Sequence, residues 1–137
     1  MTLGLVILAL VVLWRRALGR TRRGNMRRGA RARRMETEAI ALLERSGFVV
    51  TDEQVTFDWP MLVDGEEQLA RLRLDLLVER SGRVYVAEVK SGAAVRATAP
   101  ATRRQLLEYQ LVCDVDGVLL VDMEERRVLE VEFPMLG

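Results

Sequence analysis

Two carboxylates and an amine in the middle of the chain, Asp75, Glu88 and Lys90, have the spacing of a cation- or phosphate-binding group. They lie on two apolar runs separated by a short turn at Ser81-Gly82, a pattern typical of an antiparallel hairpin. With those two residues as the loop, Asp75 is predicted directly opposite Glu88, at a Cβ separation of about 5 Å. Because strand side chains alternate, Lys90 shares the face of Glu88.

This arrangement of charges predicts a divalent-cation site. Opposed carboxylates on an apolar sheet face repel each other and lose solvation, and a cation would relieve both penalties. Oxygen ligands suit Mg²⁺ or Mn²⁺, and Lys90 could hold a phosphate oxygen or orient a water molecule. Lys90 is the only lysine in a chain with 20 arginines, which favours a specific use of its compact amine. The alternative interpretation is a salt bridge on a solvated sheet face.

The segments around the hairpin follow the order α, β, β, β, α, β, β. Amphipathic patterns predict helices at 32–46, ending before Gly47, and at 100–112. The predicted strands are 48–57, which Trp59-Pro60 should break, the hairpin 69–90, and the runs 118–122 and 128–133. A turn is predicted at 63–66, with a strand extension and a surface hairpin there as the open alternative. We therefore expect an α/β fold with a mixed central β-sheet flanked by helices, preceded by an N-terminal hydrophobic helix.

At the hairpin the sequence resembles the PD-(D/E)XK nuclease superfamily, through Asp75 and the triplet Glu88-Val89-Lys90. Leu74 stands where that superfamily often has a proline. The resemblance covers residues 30–133 and implies a restriction-endonuclease-like αβββαβ core. It further implies that Asp75, Glu88 and the main-chain carbonyl of Val89 hold the metal ion.

The first predicted helix carries a second part of the resemblance. Glu36, Ala39, Leu43 and Gly47 are similar to the first helix of Holliday-junction-resolvase-like members, whose glutamate reaches toward the metal. The resemblance gives that role to Glu36, with Glu38 as the alternative. An ordinary solvated helix glutamate is the competing interpretation.

The second predicted helix carries Gln105 and Tyr109, which share one face because they are four residues apart. They resemble the Q-x-x-x-Y motif that lies beside the active site in RecB-type members. Arg96, Arg103 and Arg104 are candidate phosphate contacts, although a plain surface arginine is the favoured interpretation of Arg96. The candidate catalytic residues are thus Glu36, Asp75, Glu88, Lys90, Gln105 and Tyr109.

The N-terminal segment predicts a membrane anchor. Residues 3–14 are apolar and uncharged, but as a helix they would span about 18 Å of a hydrocarbon core about 30 Å thick. Neighbouring residues and snorkelling arginines bring the segment nearer to a span, and the charge that follows it places the rest of the chain in the cytoplasm. The alternative is a cytoplasmic protein in which this segment is a buried helix or a start-site artefact. The predicted division is 1–18 anchor, 19–31 arginine-rich linker and 32–137 nuclease-like domain.

The charge is distributed unevenly. Residues 15–34 hold ten arginines and no acid, so they could bind anionic lipid or nucleic-acid phosphates. Residues 35–137 hold 11 basic and 20 acidic residues, a net charge of −9, which opposes DNA binding unless the linker or metal ions offset it. One cysteine excludes an internal disulfide, and the lack of histidine excludes Ser-His, Cys-His and His-metal chemistry in this chain.

The leading hypothesis is a membrane-tethered nuclease that hydrolyses DNA with Mg²⁺ or Mn²⁺. DNA and the membrane are the expected partners, and a homodimer is left open. One alternative is a catalytically inactive, nuclease-fold binding module at the membrane. The other is a lipid-surface interaction protein that acts through its arginine-rich linker.

Overall fold

The computed structural model describes residues 26–136 together with Gly4, Ile7 and Leu10, and the side chains of the continuous part from Gly29 onward. Apart from those three positions, the predicted anchor lies outside the described residues, as does most of the linker. In the part of the chain that is described, no helix is long and apolar enough to cross a membrane.

Five strands of the described residues form one mixed sheet in the order β1-β2-β3-β4-β5. The β3–β4 pair is parallel and the other three pairs are antiparallel. The elements are α1 (Met26–Arg45), β1 (Val49–Val63), β2 (Glu66–Arg80), β3 (Arg83–Lys90), α2 (Pro100–Val112), β4 (Gly117–Asp122) and β5 (Arg127–Val131), with 3₁₀ turns at Gly92–Val95 and Pro134–Leu136. The expected α/β class and element order are confirmed.

Within residues 26–136, each face of the sheet packs against one helix. The α1-side core includes Ala39, Leu43, Leu76, Val78, Tyr85, Ala87 and Val121, and the α2-side core includes Leu72, Leu74, Leu77, Val86, Leu106, Tyr109 and Leu120. Strand β4 is buried throughout, because it lies within the sheet and has a core on each face.

Two boundaries differ from the sequence prediction. Helix α1 begins at Met26 and not at residue 32, because the added residues are mostly arginine, alanine and methionine, which are good helix formers. Strand β1 runs through Trp59-Pro60 without a break, so the prediction of a break there was wrong. Because β1 is an edge strand, one of its sides has no neighbouring strand, and Pro60 can lack an N–H donor there. Residues 60–69 consequently form an exposed two-stranded ribbon.

Contacts at two points fix the direction of α1 along the sheet. Beyond its C-terminal end, the Ser46 carbonyl accepts a hydrogen bond from Arg80, beside the β2–β3 turn. Nearer its middle, Glu38 forms an ion pair with Arg126, in the β4–β5 turn. Helix α1 therefore leaves the sheet at the end where β3 finishes at Lys90.

Candidate functional site

The β2–β3 hairpin has the predicted register over five residue pairs, from Arg80↔Arg83 to Leu76↔Ala87. Ser81 and Gly82 form the two-residue loop, and both have positive φ angles (53° and 75°), as a type I′ turn requires. The glycine adopts this conformation without steric cost.

The main-chain ladder between β2 and β3 ends at Leu76↔Ala87, one pair before Asp75 and Glu88, so the directly opposed placement of these two residues stays a prediction. Instead, the Asp75 Oδ2 atom accepts a hydrogen bond from the Val89 N–H at 3.0 Å. The cause is a break in the alternation of β2, since Leu74 and Leu76 pack in opposite cores although they are two residues apart. The Asp75 carboxylate thereby holds β3 at the point where main-chain pairing ends.

Glu88 lies beneath this point and is almost completely buried, with 3% of its surface exposed. Its Oε1 atom lies 3.3 Å from the Lys90 Nζ atom, and the Lys90 side chain remains 25% exposed. The three residues expected to converge therefore meet at the end of β3, with Lys90 between the buried carboxylate and solvent.

Tyr109 joins helix α2 to both strands. Its hydroxyl oxygen lies 2.9 Å from Glu88 Oε2 and 3.0 Å from the Arg73 carbonyl oxygen, and it accepts a hydrogen bond from Gln105 Nε2 at 2.8 Å. Because a hydroxyl has one proton, it donates to Glu88 or to the Arg73 carbonyl, but not to both at once. The Arg73 carbonyl was missed by sequence reasoning, since a main-chain atom leaves no signal in residue type.

Burial sets the electrostatics of this group. The pKa of Glu88 is raised to about 7, mainly by burial and then by the charge of Asp75, while Lys90 and the Tyr109 hydrogen bond act in the opposite direction. Burial, and then the charge of Glu88, raise the pKa of Tyr109 well above its usual value. Tyr109 therefore remains a neutral donor. The unfavourable interactions are the burial of the Glu88 charge and its repulsion by Asp75.

A buried carboxylate beside a second carboxylate fits a divalent cation, because the ion would remove both the repulsion and the unmet solvation. Only two acidic side chains, Asp75 and Glu88, are available here as ligands for such an ion. Across residues 26–136 and the three isolated positions described, no group of three or more Asp, Glu or Cys side chains could hold a metal ion.

In the part of the chain that the structure describes, no carboxylate of helix α1 completes a metal-binding group with Asp75 and Glu88. Glu36 is half-buried with its Oε1 atom shielded from solvent, and it lies on the helix that packs against the opposite face of the sheet from Tyr109. Glu38, the alternative candidate, is in the ion pair with Arg126 at 3.4 Å. The role that the resemblance gives to Glu36 stays a prediction.

The segment after Lys90 is fixed by a residue that the sequence analysis did not single out. Glu124, in the β4–β5 turn, accepts a hydrogen bond from the Gly92 N–H at 2.6 Å. Asp122 holds that turn by accepting the N–H groups of Glu124 and Glu125, and these hydrogen bonds lower the pKa of Asp122. The segment is therefore tied to the turn beyond β4. The candidate phosphate contacts Arg96, Arg103 and Arg104 are all exposed.

The substitution Tyr109→Phe tests the role of the hydroxyl group in this arrangement. We expect the free energy of unfolding to fall by about 1–2 kcal/mol, because either Glu88 or the Arg73 carbonyl loses its hydroxyl donor and Gln105 loses its acceptor. Urea unfolding measures the change. The chain's other tyrosine, Tyr85, is buried in the α1-side core, and Tyr85→Phe is the matched control. Equal losses in both variants would argue against a special role for the Tyr109 hydroxyl.

Comparison with known proteins adds information about the fold. No protein-family model matches the chain, and no curated protein matches it. Matching solved structures include SSO0001, with a TM-score of 0.52, 14% sequence identity and coverage of 77% of this chain. The match covers 52% of SSO0001, so the chain spans about half the length of that protein. At this identity the similarity shows a shared fold alone.

A second match is an XisH family protein from Nostoc punctiforme. It has a TM-score of 0.36 and 17% identity, over 72% of this chain and 98% of that protein. The superposition is too loose to carry an argument.

Proposed function

We propose that this chain is a metal-dependent nuclease that hydrolyses DNA phosphodiester bonds. The observation that supports it best is the group formed by Asp75, Glu88 and Lys90. The Asp75 carboxylate accepts a hydrogen bond from the β3 main chain, and the Glu88 carboxylate is buried beside the Lys90 amine. The raised pKa of Glu88 adds support, because its burial and the nearby charge of Asp75 disfavour an ionised Glu88 where no cation is present.

Asp75, Glu88 and the Val89 carbonyl would hold Mg²⁺ or Mn²⁺, with Glu36 as a more distant contributor. The bound ion would act as a Lewis acid on the phosphodiester. Lys90 would orient the attacking water or stabilise the charge that develops on the phosphorus oxygens. Its partly exposed position suits this role, because the amine can reach a substrate in solvent while staying beside Glu88.

Gln105 and Tyr109 would act through Glu88. Gln105 donates to the Tyr109 oxygen, and that interaction orients the Tyr109 proton toward Glu88 or the Arg73 carbonyl. With Glu88 ionised, donation to Glu88 would fix the direction in which its carboxylate points. These two residues are therefore positioning residues in the proposal. Arg96, Arg103 and Arg104 are proposed as contacts to phosphates away from the cleaved bond.

The proposal is tested by assaying the full chain, in a mild non-ionic detergent, on single-stranded and duplex DNA with Mg²⁺, Mn²⁺ or EDTA. We expect cleavage with either metal ion and none with EDTA, because the carboxylates alone supply no Lewis acid. The variant Asp75→Asn should lose cleavage, since it removes one of the two acidic donors. DNA binding without cleavage by the native chain would instead favour a non-catalytic module. Binding to anionic vesicles without DNA binding would favour a lipid-surface protein.

Membrane tethering through residues 1–18 belongs to the same proposal. The support is the uncharged run at 3–14 followed directly by arginines. Co-sedimentation of the chain with neutral vesicles, compared with a chain lacking residues 1–18, tests it. If the full chain and the shortened chain were recovered equally in the supernatant, the proposed membrane tethering would be refuted.

A further inference from the structure

The first part of helix α1 carries a concentration of positive charge. This part, the α1 arm (residues 26–34), holds five arginines and no acidic residue. Within it the side chains of Arg31, Arg33 and Arg34 are exposed. The buried stripe of α1 begins only after the arm, at Met35 and Ala39.

The arm projects from the body at the end of the sheet that carries the candidate site. Glu38 is held by Arg126 in the turn that follows Asp122, and Asp122 is the parallel neighbour of Lys90. The helix continues from Glu38 away from the β2–β3 turn, so its earlier residues extend past the Lys90 end of the sheet. Nine helical residues reach about 13 Å.

Three arginines of the arm, Arg31, Arg33 and Arg34, have described side chains, and none of the three forms an ion pair with a described acidic residue. Among the described residues, the Arg33 Nε atom donates only to the Gly29 carbonyl, at 3.3 Å. Residues 35–137 carry a net charge of −9 and would by themselves repel a polyanion. Exposed guanidinium groups bind phosphate by paired hydrogen bonds and release counterions when they do so.

We propose that the α1 arm binds the sugar-phosphate backbone of the nucleic-acid strand that enters the Asp75–Glu88–Lys90 site. This inference rests on the proposed nuclease function and adds where the substrate is held. Successive nucleotides of one DNA strand are about 3.4 Å apart along the DNA axis. An arm of about 13 Å is therefore as long as about four nucleotides. A nucleic-acid backbone is favoured over a lipid surface because the arm extends from the end of the sheet at which the site lies.

The test compares two variants of the full chain in detergent, Arg31→Gln/Arg34→Gln in the arm and Arg45→Gln at the other end of the same helix. Arg45 is exposed, and glutamine keeps the helix propensity in both variants. Binding of a labelled 20-nucleotide strand is measured with EDTA present, over a series of salt concentrations. Circular dichroism verifies that the helix content is unchanged.

We expect the double variant to reduce the slope of log affinity against log salt by about 1.4 for a single strand and about 1.8 for a duplex, because each phosphate that is no longer neutralised lowers the slope by about 0.7 or 0.9. The Arg45 variant should leave the slope unchanged. In Mg²⁺, the arm variant should raise KM and leave kcat at its native value, because the arm does not touch the cleaved bond.

Equal slopes for the native chain and the arm variant would overturn the inference. So would an arm variant that keeps DNA binding and loses only its binding to vesicles containing anionic lipid, since the arm would then serve a lipid surface. The two proposals fail separately. A chain that binds through the arm but cleaves nothing would refute the nuclease proposal alone, and one that cleaves DNA with an unchanged slope would refute the arm alone.

Discussion

The variant Glu88→Gln is expected to lose DNA cleavage and yet to be more stable than the native chain at pH 8 in the absence of metal ions. Activity is lost because an amide is a poor ligand for a hard cation in place of a carboxylate. Stability rises because the substitution removes a charge that is buried beside Asp75. A functional group that destabilises the fold when no ligand is bound is expected of a binding site.

The sign of the pH dependence follows from the raised pKa of Glu88. In the unfolded chain this carboxyl group should titrate near 4.5, whereas in the fold its pKa is about 7. Between these values the folded state keeps a proton that the unfolded state has released. The free energy of unfolding should therefore fall as pH rises from about 4.5 to about 7, by about 3 kcal/mol in total from this group, and stay at the lower value above that range.

Urea unfolding of both chains at pH 5 and pH 8 in EDTA measures this effect. At pH 8 the variant should be more stable than the native chain by about 2 kcal/mol. This is less than the about 3 kcal/mol expected from the pKa shift of Glu88, because the variant also loses the ion pair with Lys90. Its stability should change less than that of the native chain between the two pH values. Glu79→Gln, on an exposed residue of β2, is the matched control and should behave like the native chain. If the native chain lost no more stability than Glu88→Gln between pH 5 and pH 8, the raised pKa of Glu88 would be contradicted.

The variant Lys90→Ala should reduce the rate of cleavage by about 10²- to 10³-fold while leaving metal binding intact. A rate loss of this size is typical when one group that stabilises developing charge is removed. Metal affinity should be equal to or higher than that of the native chain, because the ammonium group lies 3.3 Å from a carboxylate oxygen of Glu88 and competes with a cation for it. The pKa of Glu88 should rise further, since Lys90 lowers it in the native chain.

Single-turnover cleavage and calorimetric titration with Mn²⁺ measure the two effects separately. Lys90→Arg is an informative companion, because it keeps the positive charge but replaces the compact ammonium by a planar guanidinium. We expect it to bind metal like the native chain and to recover only part of the rate. Cleavage at the native rate by Lys90→Ala would remove the proposed mechanism, and loss of Mn²⁺ binding in that variant would assign Lys90 a structural role instead.

The elements that depend on local rules could be predicted from the sequence. The two-residue turn at Ser81-Gly82 and the alternation of apolar residues fix the register of the hairpin, and the structure has that register. Gln105 and Tyr109 were expected on one helical face because of their spacing, and they are hydrogen bonded to each other. Both results follow from periodicity within a single hairpin or helix.

The features that depend on packing between elements could not be predicted. Nothing local to Asp75 reveals that β2 changes its alternation there, because the change depends on the placement of Leu74 and Leu76 in opposite cores. The position of β1 at the sheet edge made Pro60 acceptable within the strand, and sheet order is set by the whole fold. Likewise, the Arg73 carbonyl enters the site only because helix α2 brings Tyr109 against the strands.

The single lysine makes the site addressable by covalent labelling. An amine-selective acylating reagent has one side-chain target in this protein, the partly exposed Lys90, besides the chain's terminal amine. Because the amine forms an ion pair with Glu88, its rate of acylation depends on what else that carboxylate binds. Mass spectrometry of the modified peptide can therefore report occupancy of the site directly, without a substrate and without introducing any mutation.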